Sequence, residues 1–363
     1  MHRKLPGYAP TPLADAPAIA VRLGLGRVLV KDESSRLGLP AFKMLGASWA
    51  VYRAIAERAE GSLGPWEDVS GLRGRVGRVG GLSFLAAATD GNHGRAVARM
   101  ASMLGLGCRV YVPAGTAAAR IVAIESEGAS VAVVEGTYDD AVARSAEDAA
   151  ADCLVISDTS WPGYERVPRW VMEGYSTIFS EIDAELRAGE AVDSVDAVAV
   201  QIGVGALCGA AVACLAAPGR RRPQILGVEP LSAACMLASV RAGRPVTLEG
   251  APDSLMAGLN CGTPSQIAFP VVAAGVDAFV AIPDAAAEAA MRELAGVGVV
   301  SGETGAAGLG GVSSVLAAPA AAFRERHGLD AASTLLLIST EGATDPASYR
   351  RIVGMAPEEV RRR

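Results

Sequence analysis

The chain has 363 residues, 51% hydrophobic and 20% charged, which is enough apolar content for a substantial core and excludes a disordered or fibrous protein. Its 33 Lys and Arg against 39 Asp and Glu give a net charge of −6, which argues against a nucleic-acid surface and favours small metabolites as partners. With three histidines and no C-x-x-C pair among six cysteines, neither a zinc ribbon nor a thioredoxin motif nor a histidine metal cluster is expected.

Residues 1–13 are basic but carry no apolar stretch, so no cleaved secretory signal is expected and the chain reads as cytoplasmic. From there short apolar runs bounded by turn residues alternate with longer Ala-rich helical stretches. Strand-like 27–33 precedes helical 42–59; the same pairing recurs at 82–91 with 93–105, 108–115 with 118–128, and 130–136 with 138–152. This is the rhythm of an α/β protein. Residues 61–81 are Gly-rich and poorly periodic, which predicts a surface connection without an element of its own. Further on, 195–203, 224–230, 276–283 and 333–342 are nearly continuous apolar runs, as parallel strands covered on both faces should be. Residues 197–219 are uncharged and precede Arg220, Arg221 and Arg222, which mimics a membrane span. Gln201, the glycines and Pro218 interrupt the stretch, so strand, glycine loop and buried helix are predicted instead.

Most of the cysteines are expected to be small buried hydrophobes, whereas Cys235 and Cys261, in Gly- and Pro-flanked stretches, are compatible with a redox-sensitive pair. No serine sits in a G-x-S-x-G elbow, which removes the usual serine hydrolase. The chemistry concentrates in two places. Gly203, Gly205 and Gly209 lie between a predicted strand and helix, where backbone N–H groups converge at the positive helix end and suit a phosphate. With Glu229 ending the next strand 26 residues after Gly203, the loop fits a dinucleotide site and a nicotinamide-dependent oxidoreductase. With Lys43, set in the apolar stretch Ala41-Phe42-Lys43-Met44-Leu45, it fits pyridoxal phosphate held by a Schiff-base lysine. The plainer reading of Lys43 is a helix-start lysine whose stem packs while its ammonium reaches solvent.

The segment Thr89-Asp90-Gly91-Asn92-His93-Gly94-Arg95 decides between these readings. Together with Lys43 and the glycine loop it makes the chain resemble the fold type II pyridoxal-phosphate enzymes, and among them the diaminopropionate ammonia-lyases. The resemblance runs from Tyr8-Ala9-Pro10-Thr11-Pro12-Leu13 to Ser339-Thr340-Glu341-Gly342, with further matching blocks at 158–161, 168–175, 227–230, 256–259 and 301–303. It implies two open, twisted, mostly parallel-sheet α/β domains with the cofactor in the interdomain cleft. Residues 1–48 and 177–363 would form the larger, discontinuous domain and residues 49–176 the smaller one.

The resemblance also implies roles. Lys43 would hold pyridoxal 5'-phosphate, with Phe42 beside it. The backbone of Gly203, Val204, Gly205, Ala206 and Leu207 would surround the phosphate, Asn92 would bond the phenolic oxygen, and Ser339 with Thr340 would face the pyridine nitrogen. Thr89, Asp90, Gly91 and His93 would bind the substrate carboxylate, while Asp90 and Asp158 would engage a second amine or move protons. The implied activity is α,β-elimination of D- or L-2,3-diaminopropionate to pyruvate and two ammonia in a homodimer, with Lys43 and Asp90 as bases on opposite faces. In purely local terms Asp158 also suits a helix cap and Asp90 an Asx turn. Ala343 stands where the family usually has Asp, and Pro162 where it tends to have Glu. The alternatives are therefore a pyridoxal-phosphate dehydratase or β-replacement enzyme acting on another β-substituted amino acid such as serine or threonine, and a binding protein that keeps the fold without turnover.

Overall fold

The computed structural model describes residues 1–61, 63–89, 91–188, 195–216, 221–317 and 321–362. Internal contacts divide the chain into two compact units. The first comprises Met1–Ala9, Arg36–Tyr175 and Ser265–Ile267; the second comprises Pro10–Ser35, Ser176–Pro264 and Ala268–Arg363. Among the described residues the strands are β1 (Leu13–Asp15), β2 (Arg27–Asp32), β3 (Phe84–Ala88), β4 (Gly107–Pro113), β5 (Ser130–Val134), β6 (Cys153–Val155), β7 (Ala197–Gln201), β8 (Gln224–Pro230), β9 (Ala278–Ile282) and β10 (Thr334–Ser339).

The sheet of the second unit has the order β1-β2-β10-β7-β8-β9 and is parallel except for β1. Every residue of β7 and β10 is buried, which is why their sequences are apolar without alternation, apart from Gln201, Thr334 and Ser339 at the strand ends. Val28, Val30, Ala199, Leu226, Leu335 and Leu337 from this sheet share one core with Met291, Leu294, Leu309 and Val312 from the helices Asp284–Gly296 and Glu303–Leu316. Each such aliphatic side chain contributes about 1.5–3 kcal/mol by leaving water. The first unit holds a wholly parallel sheet of order β5-β4-β3-β6. In both sheets the candidate residues follow the carboxyl ends of strands, where open α/β sheets bind ligands. Thr89 follows β3, Asp158 follows β6, Gly203 follows β7, and Ser339 ends β10.

Lys43 is the first residue of a continuous helix, Lys43–Arg58, which lies wholly in the first unit. By contact it belongs to the segment Arg36–Tyr175 of that unit. Its packing against the helix Arg166–Ala188 depends on two glycines. A Cβ at Gly46 would lie 2.5 Å from Tyr175 Cε1, and one at Gly174 would lie 2.5 Å from the Leu45 carbonyl oxygen and 2.8 Å from Gly46 Cα. The second obstacle is backbone and cannot rotate away. Gly174→Ala should therefore destabilise the protein by about 2 kcal/mol, the cost of overpacking exceeding the helix-propensity gain. Gly74→Ala is the control, since nothing lies within 4 Å of its added methyl, and it should be neutral or stabilising by up to about 1 kcal/mol. Urea unfolding midpoints compare the two.

Two expectations about elements need correction or completion. The stretch 61–81 is not a bare connection: it contains the helix Val69–Val76, whose N-cap Asp68 accepts from the Gly71 N–H, and Gly71 and Gly74 had masked its period. The uncharged stretch from residue 197 divides into β7, a glycine loop and the helix Ala206–Leu215. No helix among the described residues is long and apolar enough to cross a membrane.

Candidate active site

In the first unit the helix Lys43–Arg58 projects Lys43 from its N-terminal turn, with Phe42 immediately before it. The Phe42 ring packs on Tyr175 at 4.6 Å between centroids, and Lys43 Nζ lies 5.4 Å from the Phe42 ring centre. Only 18% of the Lys43 side chain is exposed, so this amine is not the solvent-reaching lysine of the plainer reading. It donates to Asp158 Oδ2 at 2.5 Å. Asp158, 4% exposed, uses its carboxylate for this pair and does not cap a helix. Its other oxygen accepts from the Tyr138 hydroxyl at 2.9 Å, and His93 Nδ1 stands 4.0 Å from Oδ2. Burial, the largest single influence, raises the Asp158 carboxyl. The Lys43 charge, the His93 ring and the Lys43 and Tyr138 hydrogen bonds together outweigh it and hold the carboxyl well below the usual carboxylate range.

The loop carrying Asp158 is pinned from behind. Tyr164 donates to the Val155 carbonyl at 2.6 Å, accepts from the Ser157 N–H at 3.0 Å and stacks on Trp161 at 4.1 Å. The loop after β3 closes differently: the Gly91 N–H bonds Thr89 Oγ1 at 2.8 Å, and Gly91, at φ +152, precedes the helix Asn92–Leu104. Thr89 is fully buried, and Asn92 opens that helix half-buried. His93 is 2% exposed, with Nε2 bonded to the Ile156 carbonyl at 2.8 Å. Asp90 lies outside the described residues. Tyr138 and Tyr164 are the residues that sequence reasoning missed here.

In the second unit, Gly203, Val204 and Gly205 link β7 to the helix Ala206–Leu215. Gly205 adopts φ +99, where other residues are strained, and a Cβ at Gly203 would lie 3.0 Å from the Gly258 carbonyl oxygen and 3.3 Å from Cys261 Sγ. Gly205 is therefore required by its backbone conformation, while a side chain at Gly203 would be crowded. The N-cap Gly205 offers no side-chain acceptor, and the first intrahelical bond runs from Gly209 N–H to Gly205 O, leaving the buried first turn, Ala206, Leu207 and Cys208, to present its N–H groups. That donor set fits a phosphate. At the end of β10, Ser339 donates to Ser301 Oγ at 2.8 Å, while Thr340 Oγ1 accepts from the Gln201 amide at 2.8 Å. Both hydroxyls are 1% exposed.

Glu229 does not serve as a ribose-binding acid. It is 1% exposed and accepts from the N–H groups of Met236 and Leu237 at 2.8 and 2.9 Å, capping the helix Cys235–Ala242. Its spacing from Gly203 had suggested a dinucleotide site, but the carboxylate is consumed inside the fold. Burial pushes Glu229 up to about 7, against the pull of the two backbone donors. A carboxyl raised in the folded state binds its proton more tightly there than unfolded, so stability falls as pH rises from about 4 to about 7. Glu229→Gln should abolish that slope, worth about 3 kcal/mol, which urea titrations between pH 4.5 and 8 would read. Cys235 and Cys261 both adjoin Gly203, the first donating to its carbonyl at 3.7 Å.

Comparison with known proteins identifies the family. The family model for pyridoxal-phosphate dependent enzymes matches residues 4–340. The chain is 35% identical over 362 residues to diaminopropionate ammonia-lyase of Escherichia coli strain K12, covering 97% of this chain and 89% of that one. It is similar to the crystal structure of the Escherichia coli diaminopropionate ammonia lyase in complex with D-serine, with TM-score 0.87, 34% identity, and 97% and 89% of the two chains covered. The same enzyme in complex with an aminoacrylate-PLP azomethine reaction intermediate matches with TM-score 0.86 and 33% identity over the same shares.

Proposed function

The chain belongs to the pyridoxal-phosphate dependent enzymes and, within them, to the diaminopropionate ammonia-lyases, and from that premise we propose that it removes both amino groups of 2,3-diaminopropionate, consuming one water and releasing pyruvate and two ammonia. One observation carries the substrate. A buried carboxylate aimed at an amine, as Asp158 is, suits a cationic β-ammonium group and not a neutral β-hydroxyl.

Bound pyridoxal phosphate supplies an electron sink for the charge developed at the substrate α-carbon. Lys43 is the residue proposed to hold it and, as a neutral amine, to take the α-proton from one face. The N–H groups of residues 203–207 would bind its phosphate, Asn92 its phenolic oxygen, and Ser339 with Thr340 its ring nitrogen, with Phe42 flanking Lys43. Thr89, Gly91 and His93 would take the substrate carboxylate. Asp90, proposed from sequence alone, would act on the opposite face and admit the other enantiomer. The division at residues 48 and 176, the homodimer and a cytoplasmic location belong to the same proposal.

The test is the purified protein with pyridoxal phosphate, followed by its visible spectrum and by coupled pyruvate assay on D- and L-2,3-diaminopropionate and on D- and L-serine. A lysine-bound cofactor band with faster pyruvate from the diamine supports the reading. Preference for serine overturns the substrate, and no band after adding cofactor overturns the site. Full activity of Asp90→Asn on both enantiomers removes Asp90 from the mechanism.

A further inference from the structure

A buried carboxylate directs its charge only if something fixes which oxygen points where. Asp158 has two oxygens, and the one that does not face Lys43 accepts from Tyr138 Oη at 2.9 Å. Tyr138 is itself held firmly. It opens the helix Tyr138–Ala146, one residue after the N-cap Thr137 and within a capping box in which the Thr137 N–H donates to Asp140 Oδ2 at 2.7 Å and Thr137 Oγ1 accepts from the Asp140 N–H. The ring is 9% exposed, so the hydroxyl reaches the carboxylate from a fixed helix end through a dry environment. The third neighbour is oriented too. His93 Nε2 bonds the Ile156 carbonyl, which can only accept, so that nitrogen carries hydrogen and the Nδ1 edge faces Asp158.

We propose that Tyr138 is a positioning residue that locks the Asp158 carboxylate through one oxygen so that the other, the one facing the Lys43 amine, reads a cationic amine, making Tyr138 a determinant of preference for a β-ammonium over a β-hydroxyl substrate. This rests on the reading of Asp158 as the partner of the substrate's second amine. The Tyr138 hydroxyl takes one oxygen of Asp158 and the Lys43 amine the other. Without that hydroxyl the carboxylate keeps its charge but can swing, and its buried second oxygen loses a donor.

The experiment measures binding, so that it does not depend on turnover. α-Methyl-2,3-diaminopropionate and α-methylserine differ only in the β-group and, lacking an α-proton, cannot eliminate. Their dissociation constants are measured by calorimetry on the cofactor-loaded wild type and on Tyr138→Phe, whose visible band and melting temperature report that it is loaded and folded. The wild type should prefer the diamine, and Tyr138→Phe should weaken diamine binding about 10- to 100-fold, the range of a hydrogen bond to a charged group, while moving α-methylserine less than about threefold. Equal weakening of both ligands, or none of either, overturns the role of Tyr138 while leaving the substrate reading standing. A wild type that binds the two ligands equally overturns the reading of Asp158, and Tyr138 with it.

Discussion

Lys43→Ala is expected to lower turnover of 2,3-diaminopropionate by about 10³-fold or more, the loss that accompanies removal of a positioned base, and to release the cofactor on dialysis. The reason is positional. Lys43 is the first residue of a helix seated through Gly46 and Gly174, its stem runs beside Phe42, and its amine is largely enclosed, so a lysine elsewhere cannot substitute for it. The fold should suffer far less than the activity. Asp158 keeps its bond from Tyr138 and gains solvent where the lysine stem was, so the cost should be about 2 kcal/mol, below the range for stripping one partner from a fully buried pair. Added cofactor should still bind reversibly, because the phosphate-fitting N–H groups of Ala206, Leu207 and Cys208 do not involve Lys43. Dialysis followed by the visible spectrum, with pyruvate assays before and after, separates these effects. Retention of the cofactor through dialysis together with wild-type turnover would remove Lys43 from the chemistry.

What could be read in advance divides by the range of the interaction concerned. β7 and β10 were legible because a strand covered on both faces has no choice but continuous apolar sequence. Gly203 and Gly205 were legible because a side chain would be crowded at the first and strained at the second, and Lys43 because a lone cation in an apolar stretch is rare. Tyr138 was not. Thr137 and Asp140 announce a helix start at the correct place, but nothing local says that the tyrosine hydroxyl meets a carboxylate 20 residues on. Asp158 shows the same limit: its neighbours suit a cap, and only the fold brings it to an amine 115 residues away. Glu229 misled for the opposite reason, since a correct local spacing after a glycine loop concealed a carboxylate that the next helix consumes. The helix Val69–Val76 was hidden by its glycines, although Asp68 marked its start.

Asp158→Asn keeps the shape of the side chain and removes its charge, which makes it the sharper test of why that carboxylate is buried. Two donors, the Lys43 ammonium and the Tyr138 hydroxyl, converge on it from opposite sides. An asparagine offers one carbonyl oxygen and one NH₂ group, so the group turned toward Lys43 either keeps only a charge–dipole contact in place of the ion pair or opposes the ammonium with donors of its own. The stability loss at neutral pH should be about 3 kcal/mol, as for breaking one side of a largely buried pair. Its pH dependence has a definite sign. The carboxyl is depressed in the folded state, so its contribution is complete above the unfolded value near 4 and fades only as pH falls through the lower folded value. The difference between wild type and variant should therefore stay level from pH 8 to pH 5 and narrow only below about pH 4, the reverse of the Glu229 slope. On the functional side kcat/KM for 2,3-diaminopropionate should fall about 100-fold while that for serine changes little, because only the diamine brings a second cation to be met. A stability gap that widens as the pH falls would show that the Asp158 charge does not serve the pair with Lys43, and an equal loss on both substrates that it does not serve the β-ammonium.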